Sequence, residues 1–199
     1  SMLSRSSAVR NASAAVADLA SSRPAMVPGG RFHLGALRMR QGRIEEARDL
    51  FDGAGTYGLL GIGELHLVEG EHEEATDIAN RVLRNFPKAS FTDRLPALEL
   101  LVRSSIGSND LETASSTSER IATCAADCGT PYCLGRSSLI RAEVLEATGS
   151  FGEARVAAED AIDCFAESSA PYDRARAKFR LARILGHLGR QAKAEEQAE

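Results

Sequence analysis

Four cysteines, four histidines and a short run of glutamates are the residues of this chain with the means to do chemistry. Cys124, Cys128 and Cys133 sit close together and Cys164 follows further along. A tetrahedral metal site needs three or four thiolates or imidazoles converging on one point. No C-x-x-C pair or adjacent histidine completes such a set, so the cysteines read as small buried hydrophobes where one helix ends and the next begins. His33, His66, His72 and His187 are scattered, and none stands with a Ser or Cys and an acid in an arrangement for nucleophilic attack. The run Glu69-Gly70-Glu71-His72-Glu73-Glu74 resembles a carboxylate cluster, but glutamates in the first turn of a helix are favoured by the helix dipole alone. Gly58, Gly61 and Gly63 have no Lys-Ser/Thr follow-on and no preceding strand, so they do not form a phosphate loop. The sequence therefore predicts no catalytic residue, no metal and no cofactor, and the chain is not expected to be an enzyme.

The elements that would hold these side chains announce themselves through repetition. Windows of the form Gln41-Gly42-Arg43-Ile44-Glu45-Glu46-Ala47 recur at Glu69 to Ala75, Ser108 to Ala114, Thr148 to Ala154 and Leu188 to Ala194. Their closing alanines are 28, 39, 40 and 40 residues apart, a period typical of helical-hairpin arrays. In each window Gly or Asn tolerates the left-handed backbone that ends one helix, and the small Ala lets the next helix approach closely. A single hairpin cannot bury its apolar stripe, so several must stack. The expected fold is all-α, an antiparallel array of helical hairpins coiled into a right-handed superhelix.

Residues 1–27 divide into Ser1-Met2, read as a cloning remnant, and a leading amphipathic helix. Its apolar residues Ala8, Val9, Ala12, Ala15, Val16 and Leu19 recur at helical spacing until Arg23-Pro24. Pro28-Gly29-Gly30 reads as a loop, and the array then occupies 28–199. Its repeats are expected at about 28–55, 56–90, 91–130, 131–169 and 170–199, with Pro131 and Pro171 opening the last two and Pro96 near the start of a helix, where a missing N–H is tolerated. The fifth repeat stops early in its second helix, which predicts that the natural chain continues past Glu199. The exposed terminal helix would then favour a homodimer.

Composition narrows the partners. The chain of 199 residues is 43% hydrophobic but only 5% aromatic and has no Trp, so its core must be built from Ala, Leu, Val and Ile. A net charge of −4 leaves no basic footprint for nucleic acid. No apolar run approaches the roughly 20 residues of a membrane span. No secretion signal is evident, so a cytoplasmic location is expected.

Set on the tetratricopeptide pattern, Leu34-Gly35, Leu181-Ala182, Phe51 and Pro87 fall where large, small, aromatic and Pro residues belong, and the five windows supply the turn and the small residue of the second helix. The chain resembles a tetratricopeptide-repeat domain. It departs from the pattern at Arg31, where an aromatic is usual, at Val102, where a small residue is usual, and in repeats of about 40 residues rather than 34. More narrowly, Ser169 to Gly189, which opens Ser169-Ala170-Pro171-Tyr172, resembles a hairpin of bacterial LuxR-type regulators, as does Phe32 to Gly42 with its following repeat. That resemblance implies a protein-interaction or effector-sensing segment ahead of a helix-turn-helix that lies outside these residues, with DNA reached only through that missing domain. A stand-alone scaffold for protein assembly is the alternative.

In such arrays the first helix of each hairpin lines the concave face and presents its inward side chains to a ligand. By register these are Met39, Arg40, Tyr57, Glu64, Glu99, Arg103, Arg136, Glu143, Arg176, Phe179 and Arg183. Arginine forks interleaved with glutamates can take an extended peptide or an acidic segment by bidentate contacts. The same residues can instead pair with one another across repeats. On the binding reading, exchanging Arg103 and Arg136 for Ala weakens partner capture and leaves melting nearly unchanged.

Overall fold

A computed structural model of the chain describes residues 14–18 and 22–189. Every regular element among the described residues is helical. Residues 14–18 are helical, whereas Ala8, Val9, Ala12 and Leu19 of the expected leading helix, and Ala194 of the fifth window, lie outside the described residues. Helices α1 (Val27–Arg40), α2 (Ile44–Asp52), α3 (Gly58–Glu69) and α4 (His72–Asn85) are followed by α5 (Phe91–Gly107), α6 (Leu111–Cys128), α7 (Pro131–Ala147), α8 (Phe151–Glu167) and α9 (Pro171–His187). They fall into two compact units, one ending at Val82 and the other beginning at Leu83.

Four of the recurring windows form the reversals within hairpins, and the described part of the fifth ends at Gly189. Gly42, Gly70, Asn109, Gly149 and Gly189 all adopt positive φ, between 60° and 80°. Behind four of them the N–H of the next residue reaches back to a carbonyl of the last helical turn: Arg43 to Arg38 at 3.0 Å, and Glu71 to His66, Asp110 to Ser105 and Ser150 to Leu145 at 2.8 Å. This is the six-residue helix-ending bond that satisfies an otherwise orphaned carbonyl. The closing residues Ala47, Ala75, Ala114 and Ala154 are all fully buried. A larger side chain at any of them would push two backbones apart.

In the first unit, Ala47, Phe51 and Leu65 form a core lined by Phe32, Met39 and Ile62. The Phe51 ring lies where a Cβ on Gly35 or Gly61 would stand, at 2.6 Å and 2.3 Å. Those two glycines make the slot for the ring. Burying a Phe of this kind contributes about 1.5–3 kcal/mol. In the second unit the core is larger, running from Leu95, Leu98, Val102, Ile121 and Ile140 to Ala142, Ala158, Leu181 and Ile184. Val102, a departure from the repeat pattern, is fully buried there.

Two local expectations are corrected. Pro28-Gly29-Gly30 belongs to the first turn of α1 rather than to a loop, because Pro in that turn gives up only an N–H that has no intrahelical partner. Pro96 stands in the second turn of α5, one turn deeper than the position where its missing N–H is harmless, so α5 forgoes a ladder bond there. The start of α5 is held by Ser90, whose hydroxyl accepts from the Asp93 N–H at 3.2 Å. Asp110 and Thr130 cap α6 and α7 in the same way, at 3.0 Å and 3.3 Å.

Candidate functional site

The first helices of the second unit, α5, α7 and α9, carry charged residues at spacings of three, four and seven, which place them on one stripe of each helix. On α5 these are Glu99 and Arg103, on α7 Arg136, Glu143 and Glu146, and on α9 Arg176, Arg180, Arg183 and His187. The three glutamates are nearly sealed from solvent, at 2%, 5% and 8% exposure. Carboxylates so buried must be paired, and guanidiniums from the neighbouring helices meet them.

Arg136 donates through two nitrogens to both carboxylate oxygens of Glu99, at 2.5 Å each. Its third nitrogen donates to the Tyr132 hydroxyl at 2.8 Å. Arg103 donates to Glu143 Oε2 at 3.0 Å and stands 3.6 Å from Glu99. Glu143 Oε1 lies 3.2 Å from Arg180, which also donates to Glu146 Oε2 at 2.8 Å. Arg183 donates twice to Glu146 Oε1, at 3.0 Å and 2.8 Å, with His187 Nε2 3.7 Å away. The result is a ladder of alternating charge running from α5 through α7 to α9.

Electrostatics follow from this arrangement. Burial pushes the Glu143 carboxyl up, but the guanidiniums of Arg103, Arg180 and Arg176 outweigh it and hold Glu143 below the usual carboxylate range. Burial lowers Arg136, and its hydrogen bonds to Glu99 more than reverse that, so its guanidinium stays charged. Glu143 and Arg136 are thus fixed in their charged forms at neutral pH.

The ladder gathers Glu99, Arg103, Arg136, Glu143 and Arg183, with Arg176 alongside and donating to Asp173 at 3.3 Å. It also includes Tyr132, Glu146 and Arg180, which the sequence reading passed over, and His187, which it took as one of four scattered histidines. The signal for them was the stripe itself, since Glu146 is three residues beyond Glu143 and Arg180 lies between Arg176 and Arg183. Phe179 projects from α9 at 65% exposure. Beside it a cavity of about 300 Å³ is lined by Leu139, Glu143, Tyr172, Ala175, Arg176, Phe179 and Arg180. The remaining predicted residues are in the first unit. Met39 packs against the Phe51 core, Arg40 ends α1, Glu64 is half-buried on α3, and Tyr57 lies in the 3-10 turn ahead of α3 rather than on a first helix.

Pairing within the ladder overturns the expectation that Arg103 and Arg136 can be removed without cost to stability. Each neutralises a buried glutamate that is also paired with one other guanidinium, Arg180 for Glu143 and Arg103 for Glu99, and taking one partner from a buried pair is destabilising. The cysteines also differ from expectation. Only Cys133 is buried; Cys124 and Cys164 are half-buried and Cys128 is exposed. In the acidic run, His66 Nδ1 meets Glu71 Oε2 at 2.5 Å, while Glu69 receives both of its bonds from Arg48, at 2.5 Å and 2.7 Å.

The tetratricopeptide-repeat family model matches residues 28–52 and 175–199. Among solved structures, the chain superposes on a thermophilic tetratricopeptide protein of Thermus thermophilus with a TM-score of 0.63 and 18% identity, covering 85% of this chain and 87% of that one. The fold is that of the tetratricopeptide repeat. The apo form of RapI gives a TM-score of 0.62 at 12% identity, over 85% of this chain and 67% of RapI. A putative kinesin light chain of Podosopora anserina with nearly identical tetratricopeptide-like repeats gives 0.56 at 19% identity, over 84% and 89%. No curated protein matches by sequence. No described helix is long and apolar enough to cross a membrane. The longer helices of the second unit, 17 or 18 residues each, account for repeats of about 40.

Proposed function

We propose that this tetratricopeptide array is a protein-interaction segment that captures a peptide on the first-helix face of its second unit, within a LuxR-type transcriptional regulator. The observation that carries the binding reading is the cavity beside Phe179. It has an apolar wall from Leu139, Tyr172, Ala175 and Phe179 and a charged floor from Glu143, Arg176 and Arg180. A leucine or aromatic side chain fits the wall, and an adjacent carboxylate reaches the guanidinium of Arg176, which lines the cavity. Arg103 and Arg136 are committed to their glutamates and serve as the frame rather than the grip. The regulator reading rests on the hairpin resemblance of Ser169 to Gly189 and of Phe32 to Gly42.

Both parts can be tested separately. A peptide array with one Leu, Phe or Tyr beside an acidic residue should yield binders whose affinity falls at least tenfold in Phe179→Ala and several-fold in Arg176→Ala, at unchanged helicity. Equal binding by both variants overturns the cavity as the site. The coding sequence beyond Glu199 should encode a helix-turn-helix. Further repeats and a stop codon there would overturn the regulator reading and leave a stand-alone scaffold. Sedimentation over a dilution series distinguishes peptide capture from a homodimer seated on Phe179 and Tyr172.

A further inference from the structure

Two thiols meet where α6 passes into α7. Cys128 is the last residue of α6 and is exposed, Cys133 stands in the first turn of α7 and is buried, and their Sγ atoms are 3.1 Å apart. Three features of the connection hold them there. Gly129 turns the chain with φ at 67°, Pro131 opens α7, and Thr130 caps α7 by accepting from the Cys133 N–H. The Thr130 hydroxyl also lies 3.6 Å from Cys128 Sγ. Nothing in the tetratricopeptide fold requires two cysteines at this junction, and one of them faces water.

We propose that Cys128 and Cys133 form a reversible disulfide, making the α6–α7 junction a site of oxidation by peroxide. In the first step the Cys128 thiolate attacks one oxygen of hydrogen peroxide; the O–O bond breaks, a sulfenic acid forms on Cys128 and hydroxide leaves. In the second, Cys133 Sγ attacks the Cys128 sulfur, its proton and the sulfenic hydroxyl leave as water, and the S–S bond closes. Overall, two thiols and one peroxide give one disulfide and two waters. The roles follow from exposure: Cys128 meets the oxidant and Cys133 resolves it. Hydrogen bonding with Cys133 and Thr130 holds the Cys128 thiol below its ordinary pKa, whereas burial pushes Cys133 up, so the exposed sulfur supplies the thiolate. The disulfide would tie the end of α6 to the start of α7 beside Tyr132, which buttresses Arg136 of the ladder.

The test uses the whole chain carrying Cys124→Ser and Cys164→Ser, treated with hydrogen peroxide, quenched with an alkylating agent and read by mass spectrometry. The expected product is a monomer that has lost two hydrogens, with a link between residues 128 and 133 in fragment spectra, and is restored by dithiothreitol. Adding Cys133→Ser should stop the reaction at a sulfenic acid on Cys128, trapped by dimedone. Adding Cys128→Ser should leave Cys133 largely unoxidised at the same dose. Linkage only between chains, sulfinic acid without a disulfide, or preferential oxidation of Cys133 would each overturn the proposal.

Discussion

The two units solve the same packing problem with different materials. In the first, the first helices are 14 and 12 residues long, and a ring sits in a slot, Phe51 against Gly35 and Gly61. The carboxylates in ion pairs of that unit stay accessible, with Glu69 opposite Arg48 about a third exposed and Glu46 opposite the buried Arg38 nearly half exposed. In the second, helices of 17 and 18 residues give each first helix enough turns to carry both a packing stripe and a charged stripe, and the carboxylates of that stripe are sealed. Exposed pairs contribute little because water and salt screen them, whereas a buried pair becomes indispensable once either partner is removed.

Substitutions can break this contrast. The largest effect is expected from Arg136→Ala, which removes both close donors to buried Glu99, leaves it only Arg103 at 3.6 Å, and should lower the unfolding free energy by about 3–5 kcal/mol in urea denaturation. Replacing both partners with apolar residues, Arg136→Met with Glu99→Met, should recover most of that loss. A loss in the single variant no larger than that of an exposed pair would erase the distinction between the units. Gly61→Ala tests the first unit's ring slot, since its Cβ would fall 2.3 Å from the Phe51 ring; overpacking of this kind costs about 1–3 kcal/mol. Gly152→Ala is the control, because nothing lies within 4 Å of its Cβ position, and its melting temperature should hold or rise.

Acid sharpens the contrast by charge rather than shape. Because the folded Glu143 pKa lies below its unfolded value, its contribution is fully present above the unfolded pKa and is lost as pH falls through the folded one. Denaturation midpoints measured downward from neutral pH should therefore fall in the acid range, and Glu143→Gln should flatten that limb. The smallest effect belongs to Arg48→Ala, whose pair with Glu69 is solvent-exposed; its urea midpoint should be indistinguishable from the parent's.

The fold was legible because its determinants are local. A Gly or Asn at the reversal and an Ala five residues later are visible in the sequence, and the backbone bonds that exploit them span only a few residues. Proline was less informative. Pro28 was read as a loop marker although it fits the first turn of α1, and Pro96 was placed at a helix start although packing of Leu95 and Leu98 carries α5 past it. For the candidate site, helical register identified Glu99, Arg103, Arg136 and Glu143 as neighbours. It did not tell whether they would face a ligand or one another, because that depends on the distance between successive first helices. The Cys128–Cys133 encounter was hidden for a similar reason: it depends on the turn at Gly129, not on a spacing motif.

The hairpin reversals have a kinetic consequence as well as a structural one. Their bonds close over five residues, and the ladder's inter-helix bonds join residues only 34 to 40 positions apart, so no contact described in the second unit waits for distant parts of the chain to find each other. Low contact order of this kind favours rapid folding, and in a repeat array nucleation at any hairpin can spread to its neighbour. Helix α7, flanked by α5, α6, α8 and α9, is where such growth from either end would converge.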